Sequence, residues 1–477
     1  QRLSALPVLL TSAALLLYFD PFSILSAAFW LSYGACLILI RVYQTIQQQA
    51  LKQRVLMPDG TVLEQPVSRY QQVAWMLKVL VESQWKIFIA LFPLVILIFH
   101  QVSWLAPIAN LIAIPLIATV IVPLEVVGAL LWLIFAPAGM LFFQLADLGL
   151  QFLVMLLSWI DFPQGQALQW LAMNVVMLMG VALAIIILFL PKGTVPKVWA
   201  VICLVPLCVP QSDSSPFRLT VLDVGQGQAI FLDLPEQKMM IDTGGYYDEA
   251  KFSVGQKLII PYLMQQGISQ LDKVLLTHLD QDHSGAFERV AQAVKIHEVY
   301  SNQRDARFDQ SNFQYCHAGQ QWQYQGVKLT VLAPQQSELP HVAHQQNELS
   351  CIVYVQVPQA HNYQNYLLMG DAGWEAEYKL LQQYPDLQVD VLVLGHHGSQ
   401  NSSSFAFLKR LQPKLAIASA GFNNRYGHPH PIVLARLKAL NIPLKTTIDA
   451  GSIQFILNAD DQIEVREFRQ SRKWLAP

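Results

Sequence analysis

Up to residue 210 apolar positions run together in long blocks, whereas beyond residue 216 they alternate with polar ones. About 20 consecutive apolar residues suffice to cross a bilayer as a helix. On that rule the blocks predict spans near 5–19, 23–43, 86–102, 104–135, 138–160, 168–190 and 196–210, the first and last of them short. The fourth block contains NLIAIPLIATVIVPLEVVGALL, in which Pro115 and Pro123 remove backbone donors while Asn110 and Glu125 bring polar groups to membrane depth. Such a segment is expected to break and to face protein or a water-filled path, so these four residues are candidates for lining a channel. A proline-kinked helix with Glu125 snorkelling to an interface is the plainer alternative. QSDSSP, residues 211–216, is polar, Ser-rich and closed by proline, and it divides a membrane domain at 1–210 from a soluble domain at 211–477.

In the second part RLTVLDVGQGQAIFLDL, KMMIDTGG, KVLLTH, CIVYVQV, NYLLMGD, DVLVLGHH and KLAIASA each place polar residues at the end of an apolar strand, and WEAEYKLLQQY and IVLARLKAL read as helices between them. Strands alternating with helices predict an α/β domain. Charge follows the same division: nine Lys/Arg and seven Asp/Glu precede residue 211, against 22 and 26 after it, so the soluble part carries about −4. Only His100 of the 12 histidines lies in the first part, which assigns metal or acid–base chemistry to the second. A hydrophobic fraction of 53% with 13% charged residues excludes an ordinary soluble protein. The five cysteines form no CxxC pair, which argues against a disulfide framework and a thiolate zinc site. Cys316 and Cys351, the two in the soluble part, are expected as free thiols. The polar interlude 44–85 holds Lys52, Arg54, Arg69 and Lys78, with Arg41 and Lys86 at its edges, and basic loops favour the cytoplasm. Five crossings from that loop, the return at Lys192 and Lys197 included, put the soluble domain on the outer face. The chain starts at Gln1 on an apolar run and reads as a fragment of a longer protein.

THLDQDHSGA, residues 277–286, sets His278, Asp280, Asp282 and His283 in the loop that follows a strand. Carboxylates mixed with imidazoles suit zinc or manganese better than a thiolate-seeking ion, although a solvated loop rich in Asp and His can look the same. Three further strand ends shift the balance, with Asp242 in IDTGG, Asp371 in MGD, and His396 and His397 in LGHHGS. Together they predict two divalent cations sharing one carboxylate and positioning a water as nucleophile.

These motifs resemble the metallo-β-lactamase superfamily, whose loop reads HxHxDH with a GD and a further His downstream. LDVGQGQA, IDTGG, THLDQDH, MGDAG, HHGSQNSSS and YGHPHP, together with FWLSYGA at 29–35 and HQVSWLAPIANLIAIPLIATVIVP at 100–123, resemble the ComEC family of natural-competence DNA-uptake channels in order and over nearly the whole chain. The resemblance implies a polytopic α-helical membrane domain followed by an αββα metallo-β-lactamase-like domain. It implies two metal ions, Mn2+ or Zn2+, one held by His278, Asp280 and a bridging Asp371, the other by Asp282, His283, Asp371 and one of the paired histidines. The strand pattern leaves His396 and His397 open, and His396 is taken. Asp242 would orient a loop histidine, and His428 would protonate a leaving oxygen or bind phosphate. Asp280 stands where the superfamily has a second His, Gln228 where the family often has an acid, and Leu349 where some relatives have a His, so Asn347, Ser350 or water would complete the first metal. The function implied is passage of single-stranded DNA across the inner membrane of a bacterium, with a phosphodiesterase, Asp282 at its centre, degrading the other strand. Duplex DNA, membrane lipids, and competence DNA-receptor and helicase proteins would be its partners. A channel whose metallo-β-lactamase-like domain only binds is the rival reading, and a membrane-tethered enzyme acting on a small ester or lactam is a third.

Overall fold

The computed structural model describes residues 5–52, 69–161, 168–190, 193–208, 215–245, 248, 251–309 and 311–471. Residues 211–214 of the expected linker, Arg54, Lys192, and the side chains of Arg41, Lys52 and Arg69 lie outside that set. The chain divides into two units, Gln1–Val209 and Pro210–Pro477.

The first unit is helical. Its main elements are α1 (Ala5–Phe19), α2 (Ala27–Lys52), α3 (Arg69–Phe99), α4 (Ala106–Ile134), α5 (Ala136–Asp161), α6 (Val175–Phe189) and the short α7 (Trp199–Cys203). Among the described residues three stretches are long and apolar enough to cross a membrane: Leu77–Phe99, Ala106–Ile134 and Ala136–Ile160. α4 corrects the expectation of a broken span, because it runs on past both prolines through a π turn at Ile117–Ile121, where the Val122 amide bonds to Ile117 O. That looser turn absorbs the irregularity just ahead of Pro123, whose missing N–H would otherwise interrupt the ladder. Phe135 alone joins α4 to α5. The two helices form a hairpin in which Gly139 faces Trp132, Gly128 faces Phe143 and Gly149 faces Ile121; a Cβ on Gly139 would come within 2.5 Å of the Trp132 Cβ. Small residues let lipid-embedded helices approach this closely.

Block 196–210 also departs from expectation. Its described residues, 196–208, form α7 and a 3₁₀ turn that fold back on α6, with Ala200 packed against Ala184 and Ile187 and Cys203 O against Gly180. A five-residue helix cannot cross a bilayer, so among the described residues no membrane-length helix makes the fifth crossing of the outward count.

The second unit stacks two sheets. The first has eight strands: β1 (Arg218–Val221), β2 (Ile230–Leu234), β3 (Gln237–Ile241), β4 (Gln270–Leu276), β5 (Lys295–Ser301) and β6 (Asn312–Tyr315), joined on the far side of β1 by two strands from the end of the chain. The second has seven: β7 (Gln321–Tyr324), β8 (Val327–Ala333), β9 (Ile352–Gln356), β10 (Asn365–Leu368), β11 (Val391–Val393), β12 (Leu415–Ala418) and β13 (Leu444–Thr446). The first sheet is completed by β14 (Ile453–Leu457) and β15 (Ile463–Glu467), in the order β15-β14-β1-β2-β3-β4-β5-β6. Period-two alternation builds the layers. Leu219, Leu232, Ile241, Val353, Val391 and Ile417 meet between the sheets. Their neighbours Ile352, Leu392 and Ala416 face outward against Leu380, Phe407 and Val433 of α8 (Trp374–Gln383), α9 (Phe405–Leu411) and α10 (Pro431–Ala439). Strands β3 to β6 are parallel, as are β10 to β13, so their carboxyl ends lie together at one edge of each sheet. A disulfide joins Cys316, just after β6, to Cys351, just before β9, and so corrects the expectation of free thiols. Both cysteines are fully buried in the core between the sheets.

Candidate metal centre

Every expected metal-site residue of the soluble part stands at such a carboxyl end or in the segment leading into β9. Asp242 follows β3 with a left-handed φ of 59° and is fully buried. Its carboxylate accepts from the Thr277 amide (2.6 Å), the Thr277 hydroxyl (2.8 Å), the Gln228 side-chain amide (2.9 Å) and His283 Nδ1 (2.7 Å). Gln228 therefore donates a proton that an ionised acid at that position could not supply. Gly227, φ 129°, lets the Gly-rich turn lie against the metal loop, where a Cβ would fall 2.3 Å from Asp282 O. A glycine is required there on both counts.

The hydrogen bond to Asp242 puts the proton of neutral His283 on Nδ1 and leaves the Nε2 lone pair facing inward. His397 is fixed the same way, with Nδ1 2.8 Å from Ser419 O and Nε2 inward. The two Nε2 atoms are 3.2 Å apart, His397 Nε2 lies 3.2 Å from Asp282 Oδ2, and Asp371 Oδ1 is 2.9 Å from His283 Nε2 and 3.5 Å from His397 Nε2. Lone pairs and carboxylates thus converge on one point, a donor set for a cation. The structure corrects the choice of His396 here, since the buried His397 completes this group and His396 does not. His396 and His397 both have left-handed φ, 48° and 56°, so the strand's alternation stops before them and the turn decides which ring points inward.

Around the other oxygen, Asp371 Oδ2, lie His278 Nε2 at 3.8 Å and His396 Nε2 at 3.6 Å, with Asp280 Oδ2 3.5 Å from His278 Nε2. His278 Nδ1 rests 3.2 Å from the Thr277 hydroxyl and 3.4 Å from the Ser350 hydroxyl, which also accepts from the Asp371 amide. His278 Nε2 and Asp371 Oδ1 are buried with no hydrogen-bond partner. Buried donor atoms without partners at the centre of such a cluster are what a cation would satisfy, so the residues present fit divalent metal. Asn347 contributes its carbonyl, bonded to the Ser350 amide, and Leu349 is buried with its carbonyl accepting from Asn302.

Without cations the cluster holds charge in strained balance. Burial disfavours ionised Asp371 and Asp282, but the adjoining imidazoles, His283 and His397, outweigh it and hold both well below the usual carboxylate range. Burial likewise opposes protonation of His283 and His397, yet Asp371 outweighs it and raises both. His428 stacks near His397, ring centroids 6.2 Å apart, and burial together with His397 and His396 pushes it down to about 4. The ring is therefore neutral near pH 7. Gln228, Thr277 and the Ser419 carbonyl were not read from the sequence as supports of the site. Only Gln228 gave a signal, as a departure from the family's acid. In the first unit Asn110 borders a cavity of about 400 Å³ beside Gln84, Phe88, Phe92 and Ser103, while Pro115, Pro123 and Glu125 do not line it.

Residues 1–194 match the family model of the competence proteins, and residues 222–311 that of the metallo-β-lactamase superfamily. This is a competence-family protein with a metallo-β-lactamase domain. The competence-family chain is 30% identical over 466 residues to Competence protein ComA of Neisseria gonorrhoeae, covering 95% of itself and 59% of that protein. It is 31% identical over 393 residues to ComE operon protein 3 of Bacillus subtilis, covering 76% of itself and 50% of that protein. It thus spans little more than half the length of these curated relatives. Among solved structures, the metallo-β-lactamase fold protein YhfI of Bacillus subtilis aligns with 50% of the chain and 99% of itself at 9% identity and a TM-score of 0.34. That likeness is too remote to bear on chemistry. The fold class is a helical region with three long apolar helices followed by a metallo-β-lactamase domain, a superfamily of metal-binding proteins that are generally hydrolases.

Proposed function

We propose that the chain is the DNA-uptake channel of a natural-transformation system and that its second unit is a two-metal phosphodiesterase degrading the strand that is not taken up. The observation that carries the catalytic half is the convergence of two donor sets on the two oxygens of Asp371. His278, Asp280, His396 and Asp371 would hold one cation, and Asp282, His283, His397 and Asp371 the other. His396 thereby takes the place left open by Leu349. Bound there, divalent cations would polarise the phosphate ester and lower the pKa of water toward neutrality. The protein's own part is to hold the donors still: Asp242 fixes His283, the Ser419 carbonyl fixes His397, and Thr277 and Ser350 support His278. His428, neutral, donates a hydrogen bond to a phosphate oxygen.

The channel reading rests on the membrane-length helices, with Asn110 and Gln84 giving polar lining to the cavity beside α3. The Cys316–Cys351 disulfide favours an oxidising compartment and hence the outer face of a bacterial inner membrane for the second unit. DNA, membrane lipids, and receptor and helicase proteins of the uptake machinery are the partners this role requires. Intact spheroplasts carrying the chain should degrade added duplex DNA in a Mn2+- or Zn2+-dependent way, and Asp282→Ala should abolish this. Degradation only after lysis would put the nuclease inside. No degradation in either condition, with metals bound, would favour a domain that only binds.

A further inference from the structure

The loop from Ser419 to His430, which follows β12 and closes one side of the metal centre, holds two large aromatic side chains in solvent: Phe422 is 83% exposed and Tyr426 50%. Such a loop would ordinarily be soft, but this one is braced. The Asn424 side-chain amide donates to Gly421 O (2.9 Å) and His428 O (2.7 Å), and its oxygen accepts from the His428 amide (2.9 Å). The loop's base is tied to the Gly-rich turn, since the Ser419 hydroxyl donates to Gly227 O (2.7 Å) and a Cβ on Gly421 would meet the Gln226 amide nitrogen at 2.7 Å.

The rings are also in series. His397 and His428 lie nearly parallel, 25° and 6.2 Å between centroids; His428 and Tyr426 follow at 22° and 5.6 Å. The Arg425 guanidinium sits 4.6 Å from the Tyr426 centroid and donates to its hydroxyl. A rigid staircase of flat rings therefore climbs from a metal-facing histidine to solvent, with a cation at its outer step. Rigidity lowers the entropy lost when a ligand stacks, and flat faces beside a guanidinium are how sequence-tolerant nucleic-acid sites hold bases. The soluble part carries about −4, so contacts to phosphate alone give this surface little hold on a polyanion.

We propose that Tyr426 and Phe422 form a nucleobase-stacking platform that seats single-stranded DNA at the metal centre, with Arg425 beside the sugar–phosphate chain and no sequence preference. The platform rests on the phosphodiesterase reading for its substrate class but can be tested without turnover. The 477-residue chain in detergent micelles, loaded with Ca2+, is titrated with a phosphorothioate oligothymidylate and with an abasic deoxyribose-phosphate oligomer of equal length, both fluorescently labelled. The wild type should bind the base-bearing oligomer about tenfold or more tightly. Tyr426→Ala should remove most of that preference, Phe422→Ala part of it, and Tyr426→Phe should retain it. Equal affinity of the wild type for both oligomers, or full preference in Tyr426→Ala, would overturn the platform. Tyr426-dependent preference in a chain with no phosphodiesterase activity would instead sink the catalytic reading and leave the platform standing, and a nuclease without base preference would do the reverse.

Discussion

At the scale of single residues, the two consecutive histidines after β11 have separable duties. His397→Ala removes a buried donor shared with Asp282 and His283, whereas His396→Ala removes a half-exposed one on the Asp371 Oδ2 side. Elemental analysis of each purified variant should show about one cation lost, the tighter one in His397→Ala; equal content in both variants and the wild type would refute the division. Proton linkage offers a second check. Asp371 raises the affinity of His283 and His397 for protons against the pull of burial, so in the metal-free protein each imidazole tends to hold a proton that a cation must displace. Uptake should tighten as pH rises through those raised pKa values and weaken below them. Calorimetric titration at pH 7 in two buffers of different ionisation enthalpy should register protons released, and their absence would mean that both rings are already neutral. The sequence displayed these donors because apolar strands stop at them, as in KVLLTH and NYLLMGD. It could not rank His396 against His397, because that ordering is set by two left-handed residues in a turn where strand periodicity no longer applies. Nor could it show the Ser419 carbonyl, since a main-chain oxygen leaves no mark in a residue pattern.

Among elements, hydrophobic length identified the membrane-type helices, while their irregularities escaped it. Pro115 and Pro123 read as breaks, yet the π turn at Ile117–Ile121 carries the helix on, with Ile121 packed over Gly149. Residues 196–210 read as a span because they are apolar, but 199–208 fold back where Gly180 offers a backbone-wide notch to Cys203. The strands that end at the site, β1 to β4 and β9 to β12, were legible through alternation, whereas β5 to β8 and β13 to β15 were not read, nor was the division between two sheets, since both share one pattern. The uninterrupted α4 sharpens the test of the channel. In a chain freed of its native reactive thiols, Asn110→Cys should react with a polar maleimide in native membranes, and Ile121→Cys, sealed in the α4–α5 hairpin, should stay silent. Silence at every position from 108 to 126 would remove α4 from any aqueous path.

For the whole second unit, the metal centre lies on a seam. Asp242 and the 278–283 loop come from the first sheet, and Asp371, His396 and His397 from the second, so cations would bind the two sheets to each other as well as to a substrate. At about a thousandfold excess over Kd, a ligand specific to the folded state adds about 4 kcal/mol, so chelation should lower the unfolding temperature of this unit by roughly 10 °C. The Cys316–Cys351 disulfide crosses the same seam, one residue from Ser350, and closes a sequence separation of 35, which restrains the unfolded chain by about 4 kcal/mol. It gives the protein a memory. With its ions stripped, the oxidised unit still keeps the halves of the site in register, so returning Mn2+ should restore full occupancy within mixing time. The same protein stripped and then reduced should reload slowly, as sheets that have drifted find each other again; equal reloading rates would show that the strands remember without the bond.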